Sequence, residues 1–115
     1  MDTADSLHIS SHERDGTIVV CPSGEIDLSQ SPTLRQFLHE VLAKQPPAVV
    51  IDLSNVPYMD SSGVATLVEA MQQARRYNGR IVLCGLQDKV KSIFEIARLD
   101  MVFTIVDTEE EALAA

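Results

Sequence analysis

Apolar positions along this chain change period several times, and each change marks an element. Leu7 and Ile9 alternate with polar neighbours, as a half-exposed edge strand does. Asp15-Gly16 follows, two residue types that tolerate positive φ, so a hairpin turn is predicted there. Thr17 to Cys21 supplies the second strand, with Pro22 near its end, where a missing N–H does least harm. Leu34, Phe37, Leu38, Val41 and Leu42 then recur at helical spacing. Ser31-Pro32 begins that helix, with serine expected as the cap and proline at the first helical position. Pro46-Pro47 ends it before the apolar run 48–53, a strand of buried type.

The alternation repeats in the second half. Val64, Leu67, Val68 and Met71 form the stripe of a helix that begins near Ser62 and runs to about Tyr77. Asn78-Gly79 closes it as a left-handed cap. Arg80 to Cys84 is a strand broken by Gly85, Val90, Ile93, Phe94 and Ala97 mark a third helix, and Phe103 to Val106 is a last short strand. A final helix takes Asp107 or Thr108 as cap, and Glu109, Glu110 and Glu111 crowd its first turn, where negative charge suits the helix dipole. Strands alternating with helices imply right-handed crossovers and parallel neighbours after the hairpin. The expected fold is therefore α/β: a mixed sheet of about five strands with an N-terminal hairpin and about four helices largely on one face.

Composition narrows the function classes. The 115 residues suit one domain spanning 1–115, and 45% hydrophobic residues exclude a disordered chain. A formal charge of −8 would repel nucleic acid, so no nucleic-acid partner is expected. No apolar stretch approaches a membrane span, and Met1-Asp2-Thr3-Ala4-Asp5 is the opposite of a signal peptide, which makes the expected location cytoplasmic, without membrane insertion. Cys21 and Cys84 lie inside apolar runs and read as buried reduced thiols rather than a pair. Neither forms a metal-ligand pattern with His8, His12 or His39, and no metal or other cofactor is expected.

The most informative segment is Asp60-Ser61-Ser62-Gly63, between the strand at 48–53 and the helix after it. Two hydroxyls fall where free backbone N–H groups and the positive dipole end collect. A phosphate is expected to be tolerated there, its charge absorbed by those groups without disturbing the fold. Read alone, the serines are equally a helix cap and a first-turn residue.

The run Val50-Ile51-Asp52-Leu53-Ser54-Asn55-Val56-Pro57-Tyr58-Met59-Asp60-Ser61-Ser62-Gly63 resembles the signature of anti-sigma factor antagonists, bacterial members of the STAS domain family that also ends sulfate transporters. Gly24-Glu25-Ile26-Asp27 resembles a second landmark of that family, Asn78-Gly79-Arg80 a third, and Val90 through Leu99 its next helix and turn. The likeness covers roughly residues 7–113, in the same order of elements. It implies that Ser61, the first serine of the motif, is phosphorylated by a partner that is both anti-sigma factor and serine kinase, and implies a serine phosphatase that reverses it. Ser62 is then either a weaker second acceptor or a helix cap. Asp60 matches the family's acidic residue before the site, and Gly63 completes the motif. Asp27 is either a turn residue or part of the same partner-binding surface as Asp60, Ser61, Ser62 and Gly63. Where many members carry Gly-Leu-Gly, this chain has Gly63-Val64-Ala65, which keeps a small residue at the third place.

Enzyme readings lack parts. A serine nucleophile needs an oriented base and an oxyanion hole, and neither a Gly-x-Ser-x-Gly elbow nor a phosphate-cradling Gly-x-x-x-x-Gly-Lys loop is present. No catalytic residue is expected. The alternative to a phosphorylation-controlled antagonist is a STAS adaptor subunit of a transporter or lipid-trafficking ABC assembly, in which the hydroxyls are incidental.

Overall fold

The computed structural model describes residues 6–115; the acidic segment at 1–5 lies outside them. Five strands, β1 (His8–Arg14), β2 (Thr17–Ser23), β3 (Ala48–Asp52), β4 (Arg80–Cys84) and β5 (Thr104–Val106), form one sheet in the order β1-β2-β3-β4-β5. The hairpin pair β1-β2 is antiparallel and every later pair is parallel. Asp15 and Gly16 both take positive φ, 52° and 84°, as the tight turn between β1 and β2 demands.

Chain order explains where the helices go. The crossovers α1 (Ser31–Ala43), α2 (Ser61–Arg75) and α3 (Asp88–Ile96) each carry the chain one strand further in the same direction. Right-handed crossovers that advance in one direction fall on one face of a sheet. Their apolar stripes meet Val20, Val49, Ile51, Ile81 and Leu83 there, with Leu34, Leu38, Leu42, Leu67, Val90 and Phe94 buried in the same core. Phe94 stacks edge-on against Phe103, ring centroids 5.7 Å apart. Helix α4 (Glu109–Ala114) follows the last strand and folds back over the opposite face, where Ala112 covers Val19, Val50, Val82 and Cys84. Both faces of the central strands are thus covered, which is why their sequences are continuous apolar runs instead of alternating ones.

Several boundaries move for local reasons. Ser31 is not the cap of α1: Gln30 holds that position, Ser31 is the first helical residue and is buried, and its N–H donates to the Asp27 carbonyl at 2.8 Å. The helix is started by the turn at Asp27 instead of by a serine hydroxyl. Helix α2 begins one residue earlier than expected, at Ser61, and Asn78 (φ 63°) closes the chain after it in the left-handed conformation. Thr108 caps α4 by accepting from the Glu111 N–H at 3.1 Å. A 3-10 turn at Leu99–Met101, with Arg98 at φ 61°, carries no periodic signal in the sequence. No helix among the described residues is long and apolar enough to cross a membrane.

Candidate functional site

The site is assembled beyond the C-terminal ends of β2 and β3, where open parallel sheets place their binding crevices. Two loops leave those strands side by side. The Gly24 N–H donates to the Asn55 carbonyl (3.0 Å), the Ile26 N–H to the Tyr58 carbonyl (3.0 Å), and the Asp60 N–H to the Ile26 carbonyl (3.1 Å). The loops thereby continue the sheet in miniature, with isolated parallel bridges at Ser23–Asn55 and Ile26–Met59. Ile26 and Met59 are fully buried beneath them. Gly24-Glu25-Ile26-Asp27 and Tyr58-Met59-Asp60-Ser61, far apart in sequence, are one structural unit.

Asp60 organises that unit. Its backbone is extended (φ −98°, ψ −173°), the conformation of a helix N-cap. Its Oδ1 accepts from the Ser62 N–H (2.9 Å), the Gly63 N–H (3.3 Å) and the Ser62 hydroxyl (2.6 Å). Its Oδ2 accepts from the Leu28 N–H at 3.1 Å, which ties the loop before α1 to the start of α2. Asp27 works similarly on its own loop: Oδ1 accepts from the Ser29 N–H (3.0 Å), the Ser29 hydroxyl (2.7 Å) and the Gln30 N–H (3.1 Å). These bonds show Asp27 as a turn residue, and the turn it shapes is tied to Asp60 through the Leu28 N–H. These bonds keep both carboxylates ionised: the Ser62 hydroxyl foremost holds the Asp60 carboxyl below its ordinary 3.8, and the Ser29 hydroxyl does the same for Asp27.

The two serines are not equivalent. Ser61 is exposed at the first helical position, and none of the described hydrogen bonds uses its hydroxyl. Ser62 is half-buried and its hydroxyl is committed to Asp60. Gly63, expected with the partner-binding residues, is buried, with Met59 and Ile26 directly against its Cα, so its part in the site is close packing. Leu28 was not anticipated; it is 75% exposed, held by Asp60 next to Ser61, and only its apolar character in a polar loop could have singled it out. One expectation is corrected here. Two of the N–H groups at the start of α2, those of Ser62 and Gly63, are not free for an anion, because the Asp60 side chain occupies them; the Ser61 N–H is used by none of the described hydrogen bonds.

Depressed carboxyls set the acid behaviour. Asp60, Asp27 and Glu109 all ionise below their ordinary values, Glu109 chiefly because Arg14 Nη1 donates to it at 2.7 Å. A carboxyl whose folded pKa lies below its unfolded one stabilises the fold above the unfolded value, and that support is lost as pH falls through the folded one. Urea midpoints are expected to stay level from neutrality to about pH 5 and to drop below about pH 4.5. The gap between the parent and Asp60→Asn should shrink over that acid range, and a gap independent of pH contradicts the assignment.

On the α4 face, tertiary structure gathers Cys21, Asp52 and Glu109, whose donor atoms lie within 4.8 Å of one another. The spacing of these residues in the chain does not suggest it. Glu109 is already matched there by Arg14 and by His12, whose Nε2 is 3.2 Å away. Asp52 accepts from the Ser54 N–H at 3.0 Å, a local backbone role. Burial pushes the Cys21 thiol up, and pushes that of Cys84 up to about 12. Both cysteines are free. Iodoacetamide at pH 8 is expected to leave Cys84 unmodified in the folded protein and to label it in urea; rapid labelling of folded protein at Cys84 would refute the burial argument.

Comparison with known proteins agrees with this geometry. The STAS domain profile matches residues 8–112. The chain is 34% identical over 107 residues to the anti-sigma-B factor antagonist of Listeria monocytogenes, covering 92% of this chain and 94% of that one. It is 29% identical over 116 residues to an anti-sigma-F factor antagonist of Mycobacterium tuberculosis, covering 98% and 92%. The crystal structure of an anti-sigma factor antagonist from Mycobacterium paratuberculosis superposes with a TM-score of 0.90 at 31% identity, over 99% of this chain and 97% of that one. The hairpin-led mixed sheet, the paired loops at its end and the extent of these matches lead to one conclusion: the chain belongs to the STAS domain family.

Proposed function

We propose that this protein is an anti-sigma factor antagonist, or a closely related partner-switching regulator. It binds an anti-sigma factor with serine kinase activity while Ser61 is unmodified and releases it once Ser61 is phosphorylated; a serine phosphatase resets it. The observation that carries this reading is the contrast between neighbouring hydroxyls. Ser61 stands exposed and uncommitted at the tip of α2, whereas Ser62 is bonded to Asp60 at 2.6 Å. A kinase approaching this surface meets one available acceptor. Asp27, Asp60 and Leu28 frame it, and Gly63 supports it from beneath. The module acts as a single domain in the cytoplasm, with no catalysis of its own. Support for that last point is that, among the described residues, no histidine hydrogen-bonds to Ser61, and His12 is engaged by Glu109.

The test is phosphopeptide mapping of the protein recovered from its native cells, in growth and under stress. Phosphate is expected on Ser61, with occupancy that changes with condition, and not on Ser62. A clearly observed but never phosphorylated peptide would reject the switch and favour the adaptor role, in which the serines only begin a helix.

A further inference from the structure

A phosphate on Ser61 would arrive at a helix end that already has an anion. Of the first four N–H groups of α2, those of Ser62 and Gly63 point at the Asp60 carboxylate, that of Val64 bonds the Asp60 carbonyl at 3.2 Å, and that of Ser61 is used by none of the described hydrogen bonds. The same carboxylate carries a third donor, the Ser62 hydroxyl, and a fourth from another loop, the Leu28 N–H. Moving Asp60 aside would therefore break bonds in two segments at once. It would also free Leu28, whose loop is otherwise shaped by Asp27.

Resting on the reading that Ser61 is the modified residue, we propose that Asp60 keeps the Ser62 and Gly63 N–H groups at the N-terminus of α2 closed to that phosphate, so the phosphorylated site shows its charge to the partner instead of absorbing it in the fold. The phosphate contributes about −1.5 to −2 charge at neutral pH. It stands beside two carboxylates, Asp60 and Asp27, both held ionised by their hydrogen bonds. Asp60 and Asp27, near enough for the charge of one to act on the other, both add negative charge there. Release follows from a concentrated anionic patch on an unchanged backbone, and Asp60 is a positioning residue of the switch.

The experiment installs phosphoserine at position 61 during translation, so it needs no native kinase and its outcome is separate from whether cells phosphorylate this residue. Backbone amide NMR signals are then followed from pH 4.5 to 8, with the unmodified protein as reference to remove histidine titration. An amide that donates to the phosphate moves downfield as its second proton leaves near pH 6; one that donates to Asp60 does not. The Ser62, Gly63 and Leu28 amides are expected to show no inflection near pH 6 in the phosphorylated parent protein. In the phosphorylated Asp60→Ala variant, Ser62 and Gly63 should acquire one, because the vacated donors turn to the phosphate. An inflection at Ser62 or Gly63 in the parent would overturn the proposal, since the phosphate would have displaced the carboxylate. Absence of any inflection in phosphorylated, folded Asp60→Ala would overturn it equally, because something other than Asp60 would be keeping the phosphate away.

Discussion

Ser61→Glu is expected to bind the anti-sigma kinase partner about a hundredfold more weakly than Ser61→Ala, a difference of about 2.8 kcal/mol. The parent and Ser61→Ala differ by one small hydroxyl at an exposed position, so their affinities should agree within a few fold. Glutamate adds a charge at the first turn of α2, beside the ionised Asp60 and Asp27. Within the fold that charge finds few donors left, because Asp60 holds those of the helix start. Its effect therefore falls on the partner's surface, where a desolvated like charge without a matching cation costs several kcal/mol. Isothermal titration against the purified partner checks this. Affinities of Ser61→Ala and Ser61→Glu both equal to the parent's would sink the switch, whereas an equal loss in both relative to the parent would place the hydroxyl itself in the contact.

Gly63→Ala should lower stability by about 1–2 kcal/mol even though alanine is the better helix former. The intrinsic gain is about 1 kcal/mol. Against it, the added Cβ would lie 2.5 Å from Met59 Cγ and 2.8 Å from Ile26 Cγ2, with the Ile26 carbonyl oxygen at 3.3 Å. Ile26 and Met59 are fully buried and their backbones are bridged to each other, so neither side chain has free space to turn into. Overpacking of a filled site costs typically about 1–3 kcal/mol, and the upper part of that range applies here, because both residues the Cβ would meet are ones the paired loops depend on. The loss corresponds to a melting temperature lower by roughly 5–10 °C for a domain of this size. Because the strain enters at Ile26 and Met59, the Leu28 amide should shift in the variant although it is remote in sequence. A melting temperature equal to or above the parent's would show that the helix end relaxes outward without cost.

How much of this was legible beforehand depended on whether the signal was local. Helix faces such as Leu34-Leu38-Leu42 and the buried strands at 48–53 and 80–84 announce themselves by period, since burial of a stripe or a run is decided within a few residues. The Asp15-Gly16 turn and the Asn78 cap were readable for the same reason: a positive φ is a property of one residue. The cap of α1 was expected at Ser31, one residue beyond Gln30, because the group that shapes the helix start, Asp27, acts across a turn, and a serine before a proline imitates a cap. The 3-10 turn at Leu99–Met101 was missed because a single turn is too short to show a period.

The sequence by itself determined the order of elements, the placement of Ser61 at a strand-to-helix junction and the absence of a local nucleophile-and-base pattern. Each follows from neighbours in the chain. Only the tertiary structure decided that the loop carrying Asp27 and Leu28 is tied to Asp60 and that Gly63 packs inward against Ile26 and Met59. Those outcomes depend on the loops after β2 and β3 pairing with one another. Hydrogen bonds between segments more than thirty residues apart leave no periodic trace in either one, so the membership of the site emerges only when the sheet brings those loops together.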